Sequence, residues 1–300
     1  MKLLIMGGSG FVSGYLTEKA LKAGHEVWCV TRGQRQLDDR VHSVTADRND
    51  ENALMQALEK AGTRFDAVLD CICFNAEQAE TALRVLSRYS GRIVVISTDS
   101  VYHPAHKTVP QNEDTPVYLT DGGYGANKRE MEEVFLRDGG KRMHYTLFRP
   151  GHIFGYGSKM GCYPEVSRRD DTVDLIRAGE PLPLVGGGEF LIHPIYAGDL
   201  CDCMLAAVNN EKTYDRIFCI GGPDIIPNAE YYRILGGLLG TEVKIETIPL
   251  EGYLEAHLQF SGHLCHRAYD LTRLKEAGLP LPSTHLKDGL REQLTKMGIL

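Results

Sequence analysis

Nearly continuous apolar runs recur along the chain at residues 3–6, 26–31, 41–46, 65–72, 92–97, 143–148 and 217–220. Between them, residues 11–23, 51–61, 77–89, 124–137, 172–178 and 199–208 carry apolar positions three and four apart. Unbroken apolar runs predict strands covered on both faces, and helical spacing predicts the segments that cover them. The alternation therefore predicts an α/β fold, a Rossmann-type doubly wound parallel sheet. Asp47 or Asp50 stands where a cap for the 51–61 helix belongs, and Asp199 where a cap for the 199–208 helix belongs.

The first run ends abruptly in Gly7, Gly8, Ser9 and Gly10, and Phe11 and Val12 then open a helix. Strand, glycine turn and helix in this order let the backbone approach a diphosphate, whose charge the helix N-terminus favours. Ser13 replaces the usual third glycine, which weakens the textual match but still permits close packing. The second strand ends in Thr31, Arg32 and Gly33, with no carboxylate to hold a ribose diol. A guanidinium that can pair with a 2′-phosphate favours NADP(H), with NAD(H) as the alternative. Asp47, after the third strand, is a candidate acceptor for the adenine amino group.

Composition narrows the class. A chain of 300 residues with 43% hydrophobic and 24% charged content is that of a globular protein with room for a smaller second lobe. Its net charge of -7 and the lack of a basic stripe argue against a nucleic-acid surface. Arg168 and Arg169, for instance, are answered at once by Asp170 and Asp171. The eight cysteines form no Cys-x-x-Cys pair and fall mostly in apolar runs, as reduced thiols do in the cytoplasm. The first strand starts at residue 2 and no apolar run has membrane-spanning length, so the reading is a cytoplasmic protein without membrane contact. His257, His263, Cys265 and His266 cluster in sequence but do not complete a zinc set, and no metal is expected.

The fifth run delivers Thr98, Asp99 and Ser100 to the sheet's carboxyl end, where ligands bind in such folds. Tyr124 and Lys128 follow on a helix, four apart and therefore on one face. An ammonium beside a phenol favours the phenolate, so Tyr124 can exchange a proton with a hydroxyl while hydride moves to or from a nicotinamide. The Thr98 hydroxyl can polarise the same oxygen, and Lys128 can also hold the ribose. Tyr15 and Lys19 have the same spacing without that context and read as a packing or surface pair.

Taken together, residues 7–13, the STDSVY run at 97–102, Tyr124 with Lys128, LFRPGHIFG at 147–155, HPIYAGDL at 193–200 and YDLTRLKEAG at 269–278 resemble the extended short-chain dehydrogenase/reductase family, the NAD-dependent epimerase/dehydratase group. The resemblance implies a catalytic set of Thr98, Tyr124 and Lys128, a homodimer built through the 77–89 and 124–137 helices, and a carboxy-terminal substrate lobe. It divides the chain into residues 1–155 plus about 186–222 for the dinucleotide and about 156–185 plus 223–300 for the substrate. The loop holding Gly151, His152, Gly155 and Tyr156 is expected to face the nicotinamide.

Relatives that act on nucleotide sugars hold the diphosphate with an Asn and an Arg. Those positions fall here on His152 and on Ile192, with His193 beside it. The expected substrate is therefore a smaller sugar-like alcohol or ketone, contacted by Asp99, Ser100, His152, Tyr156 and His193. Dehydratases of the group carry an Asp–Glu pair where this chain has Asp99–Ser100, which leaves dehydrogenation, reduction or epimerisation. A nucleotide-sugar epimerase and a non-catalytic RNA-associated protein of the same fold are the alternatives.

Overall fold

A computed structural model describes residues 1–115, 117–120, 122–162, 169–257 and 262–300. Six strands, β1 (Lys2–Met6), β2 (Glu26–Thr31), β3 (His42–Thr45), β4 (Ala67–Asp70), β5 (Arg92–Ile96) and β6 (His144–Pro150), join the Arg216–Ile220 strand in one sheet. Its order is Arg216–Ile220, β6, β5, β4, β1, β2, β3, and every pairing is parallel. The chain builds outward from β1 to β3, then returns to β4 and builds the other way. The order thus reverses between β1 and β4, which opens a crevice at their carboxyl ends.

Side chains alternate across each strand, so one apolar run feeds two cores. Leu4 and Met6 of β1 pack with Leu54 and Leu58 of helix α2 (Glu51–Ala61), Ala79 and Ala82 of α3 (Ala76–Val85) and Met131 of α4 (Gly123–Val134). Leu3 and Ile5 face the opposite side, with Leu16 and Ala20 of α1 (Phe11–Lys22) and Leu200 and Met204 of the Ala197–Ala207 helix. Asp50 is the cap of α2, its Oδ1 accepting the Ala53 N–H at 2.9 Å.

A further apolar cluster gathers Phe154, Leu182 and Leu184 with Tyr231 and Leu235 of the Asn228–Leu239 helix and Leu290 and Leu294 of the Leu286–Lys296 helix. Leu274, Ala277 and Leu279, which the sequence division assigns to the substrate lobe, pack instead in the core of the sheet. Asp199 is not a cap. It is the third residue of its helix, and its carboxylate accepts the N–H groups of Ser283 and Thr284, both at 2.8 Å, tying in the chain ahead of the last helix.

Tyr15 and Lys19 are the packing and surface residues their setting implies. The Tyr15 hydroxyl accepts the Tyr156 N–H at 2.9 Å, and Lys19 pairs with Asp202 at 2.7 Å. Arg169 pairs with Asp171, and Arg168 lies outside the described residues. All eight cysteines are free thiols. Among the described residues, no helix is long and apolar enough to cross a membrane and no three potential metal ligands come together.

Candidate active site

Two cavities open at the carboxyl ends of the strands. The first, of about 470 Å³, is lined by Gly7, Ser9 and Gly10 of the loop, Thr31, Arg32 and Arg35 after β2, Asp47 and Arg48 after β3, and Ile72 and Phe74 after β4. Gly7 and Gly8 of the loop have no room for side chains. Gly8 sits at φ +137°, where an added Cβ would come within 2.6 Å of the Cys29 sulfur, and at Gly7 it would meet the Ser13 Cβ at 3.0 Å. Ser13 does more than replace a glycine, because its Oγ accepts the Gly10 N–H at 3.0 Å and closes the first turn of α1. A chain pressed this closely onto β2 presents backbone rather than side chains to the cavity, as a diphosphate requires.

Gly8 itself, Phe11 and Val12 do not line that cavity. Gly8 packs on Cys29, the Phe11 ring stands edge-on to Tyr15 at 6.0 Å, and the Val12 carbonyl accepts the Cys201 thiol. Phe11 and Val12 open α1, whose first-turn N–H groups have no preceding turn to accept them. Asp47 is on the wall, with Oδ1 already accepting the Asn49 N–H at 2.9 Å. Two features escaped the sequence reading. Arg35 donates to the Ser9 carbonyl at 3.2 Å, and Arg48 on the cavity wall is held by a buried pair with Asp70 at 2.9 Å.

The second cavity, of about 390 Å³, is lined by Thr98, Asp99 and Ser100 after β5, Tyr124 of α4, Gly151 and His152 after β6, and Ile192, His193, His263 and Arg267. Thr98 caps a short turn, its hydroxyl oxygen accepting the Ser100 N–H at 3.2 Å. The hydroxyl hydrogen is thereby left to donate to a ligand. Helix α4 reaches this turn because Gly125 follows Tyr124. A Cβ there would stand 2.1 Å from the Ser100 carbonyl oxygen, so a side chain would force Tyr124 away from Thr98. His152 is buried on the wall, with Tyr231 edge-on at 5.9 Å.

Lys128 is buried and joins the walls of the two cavities. Its ammonium donates to the Cys73 carbonyl at 2.6 Å and the Ile96 carbonyl at 2.7 Å, and lies 4.9 Å from the Phe74 ring centre. It lines neither cavity and holds the backbone between Ile72 and Phe74 and at the end of β5. Burial pushes the ammonium down to about 8. Between that value and the ordinary lysine value near 10.5, the unfolded chain keeps a proton that the folded chain has lost, so folding is favoured as pH rises through this window. Urea unfolding at stepped pH should show wild-type stability gaining on Lys128→Met by on the order of 3 kcal/mol across the window. Parallel pH profiles would show that the ammonium is not desolvated.

Two of the expected substrate contacts also have structural partners or a different setting. The His193 ring is spent on structure, with Nε2 donating to the Gly222 carbonyl at 2.6 Å and Nδ1 accepting the Tyr269 N–H at 3.0 Å. A carbonyl on one side and an amide on the other hold the neutral ring in one tautomer, and burial lowers its proton affinity. Tyr156 lines a separate pocket with Lys159 and Arg169, because its backbone is tied to Tyr15 on the far side of the loop. Asp99 does line the second cavity, yet one of its oxygens is shared by Lys107 and Arg267, each at 2.7 Å.

The fold is a Rossmann-type sheet with two cavities at the carboxyl ends of its strands, one of them walled by the glycine loop. The chain belongs to the NAD dependent epimerase/dehydratase family, whose sequence profile matches residues 3–221. It is 27% identical over 236 residues to the chloroplast stem-loop binding protein of 41 kDa b of Arabidopsis thaliana, a match covering 74% of this chain and 58% of that protein. It is 23% identical over 318 residues to the UDP-N-acetyl-alpha-D-glucosaminuronate decarboxylase of Bacillus cytotoxicus, covering 98% of this chain and 96% of that one. Among solved structures, the Bordetella bronchiseptica enzyme WbmH in complex with NAD+ superposes with a TM-score of 0.78 at 15% identity, over 99% of both chains.

Proposed function

We propose that the protein is an NAD(P)-dependent oxidoreductase or epimerase acting on a secondary alcohol or ketone of a sugar-like small molecule, with Tyr124 as acid and base. The observation that supports this most is the shared cavity of Thr98 and Tyr124, joined through Lys128 to the wall of the glycine-loop cavity. A nicotinamide dinucleotide held by that loop supplies the hydride donor or acceptor. Thr98 donates a hydrogen bond to the substrate oxygen, Tyr124 takes or returns its proton, and the buried Lys128 ammonium favours the phenolate by its charge. Ser100 and His152 offer hydrogen bonds to neighbouring hydroxyls. Replacing wild type by Tyr124→Phe in a turnover assay is the direct test.

For the cofactor, Arg32 on the cavity wall supports NADP(H). Arg32→Ala should weaken NADP(H) by about 1.5–3 kcal/mol and leave NAD(H) nearly unchanged, as calorimetry can measure. Equal affinities of wild type for the two would overturn the preference. A dimer and a cytoplasmic location belong to the same proposal. Ala79, Ala82 and Leu86 are already buried within the chain, so a contact through α3 and α4 would use their outer faces.

Two relatives keep the alternatives in view, since one is named for a UDP-sugar acid and the other for a stem-loop. Against the first, Ile192 and His152 stand where cationic or amide anchors for a diphosphate are expected, and His193 has both nitrogens engaged. Thermal-shift screening with cofactor present should give no strong response to UDP-, GDP- or dTDP-sugars. Micromolar binding of one of them would restore the nucleotide-sugar reading.

A further inference from the structure

The first cavity ends on an aromatic ring. Its wall runs from the loops after β3 and β2, which carry Asp47 and Arg32, across the glycine loop after β1 to Ile72 and Phe74 after β4. The next strand in the sheet is β5, and Thr98 at its end lines the second cavity. Phe74 therefore stands at the end of the first cavity that is nearest the second. Among the described residues it is the only aromatic side chain lining the first cavity, and it is 44% exposed.

A solitary exposed apolar ring on a convex surface calls for no explanation, but this one stands on a concave wall and is carried by a fixed backbone. The Cys73 carbonyl just ahead of it accepts Lys128 Nζ at 2.6 Å, and the Phe74 N–H donates to Gln78 Oε1 at 2.7 Å. Asn75, just after it, caps α3 by accepting the Gln78 N–H at 3.0 Å. Cys73 belongs to the core, whereas Phe74 packs in none of the described apolar clusters. Polar contacts on both sides thus hold an apolar ring in the cavity and out of the core. The Lys128 ammonium lies 4.9 Å from the ring centre, within the range at which a cation is attracted to a ring face. Tyr124, one helical turn before Lys128, is an exposed ring on the wall of the second cavity. One exposed ring in each cavity therefore flanks the same buried ammonium.

A dinucleotide with its diphosphate on the glycine loop and its adenosine side toward Arg32 and Asp47 has the β4 side left for its other half. That direction leads over Phe74 toward Thr98 and Tyr124. We propose that Phe74 is a binding residue for the nicotinamide riboside half of the cofactor, which covers the exposed ring in the bound state. The inference rests on the nicotinamide-dinucleotide reading of the first cavity and deepens it by a residue that the glycine turn and the Tyr124–Lys128 pair do not point to. Covering the ring removes apolar surface from water, the usual source of affinity in a ligand pocket whose polar groups set orientation.

The test is calorimetric binding of NADPH and NADH, set against ADP and adenosine 2′,5′-bisphosphate, which keep the adenosine side and lack the nicotinamide riboside. Phe74→Ala should weaken NADPH and NADH about tenfold and change the two truncated probes by less than about twofold. Phe74→Leu, which keeps most of the apolar area, should recover most of the loss, and circular dichroism confirms that both variants are folded. Unchanged or tighter dinucleotide binding by Phe74→Ala, or an equal loss for the truncated probes, would overturn the proposal while leaving the cofactor reading intact. Failure of the wild-type protein to bind either NADPH or NADH would overturn both.

Discussion

Tyr124→Phe will lower turnover about 10²- to 10⁴-fold, the usual contribution of a positioned general acid or base, and will leave dinucleotide affinity unchanged. Tyr124 faces the second cavity and not the glycine-loop cavity, so the exchange removes an oxygen from the reacting end only. The phenyl ring is retained, and the side chain is 55% exposed, so little packing is lost. Thr98 and Lys128 keep their own partners in the variant, because neither the Ser100 N–H nor the Cys73 and Ile96 carbonyls depend on the phenol. A kcat close to wild type would remove Tyr124 from the chemistry. A parallel loss of cofactor affinity would mean that the phenol binds rather than reacts.

Asp99→Asn should unfold at distinctly lower denaturant than wild type, by about 3–5 kcal/mol, the cost of stranding a buried charge without its partner. Here two buried cations lose the carboxylate they share, since Lys107 and Arg267 each reach its Oδ2 at 2.7 Å. The sign of the pH dependence follows. Asp99 is held below its unfolded value, so its contribution is present above that value and lost as pH falls through the folded one. The gap between wild type and variant should be constant at neutral pH and shrink below about pH 4. A variant as stable as wild type at pH 7 would show that the triad is not a buried charge network.

The sheet was legible because its strands are continuous apolar runs and its turns carry strong signals, such as Asp50 ahead of α2 and the glycines after β1. The residues that meet at the second cavity were legible for a similar reason. Thr98 follows an apolar strand, and Tyr124 and Lys128 are separated by one helical turn. Local patterns do not reveal partners that are remote in the chain. Arg267 lies 168 residues from Asp99, and only the path of the carboxy-terminal segment brings it to the end of β5. The same segment supplies the Tyr269 amide that engages His193 Nδ1 on the wall of the second cavity. Lys128 was placed on the correct helix face, but its depth depends on how closely α4 approaches the sheet, which the neighbouring Gly125 permits.

The most direct measurement mixes the protein and oxidised cofactor with a panel of sugar acids, sugars and polyols in a stopped-flow instrument and follows the absorbance of reduced nicotinamide. At least one compound should give enzyme-bound reduced cofactor, lasting in a dehydrogenase and transient in an epimerase, and Tyr124→Phe should suppress that signal at unchanged cofactor affinity. Absence of reduced nicotinamide across the panel in either direction, with cofactor bound and a stem-loop RNA retained at low salt instead, would contradict hydride transfer as the function of this site.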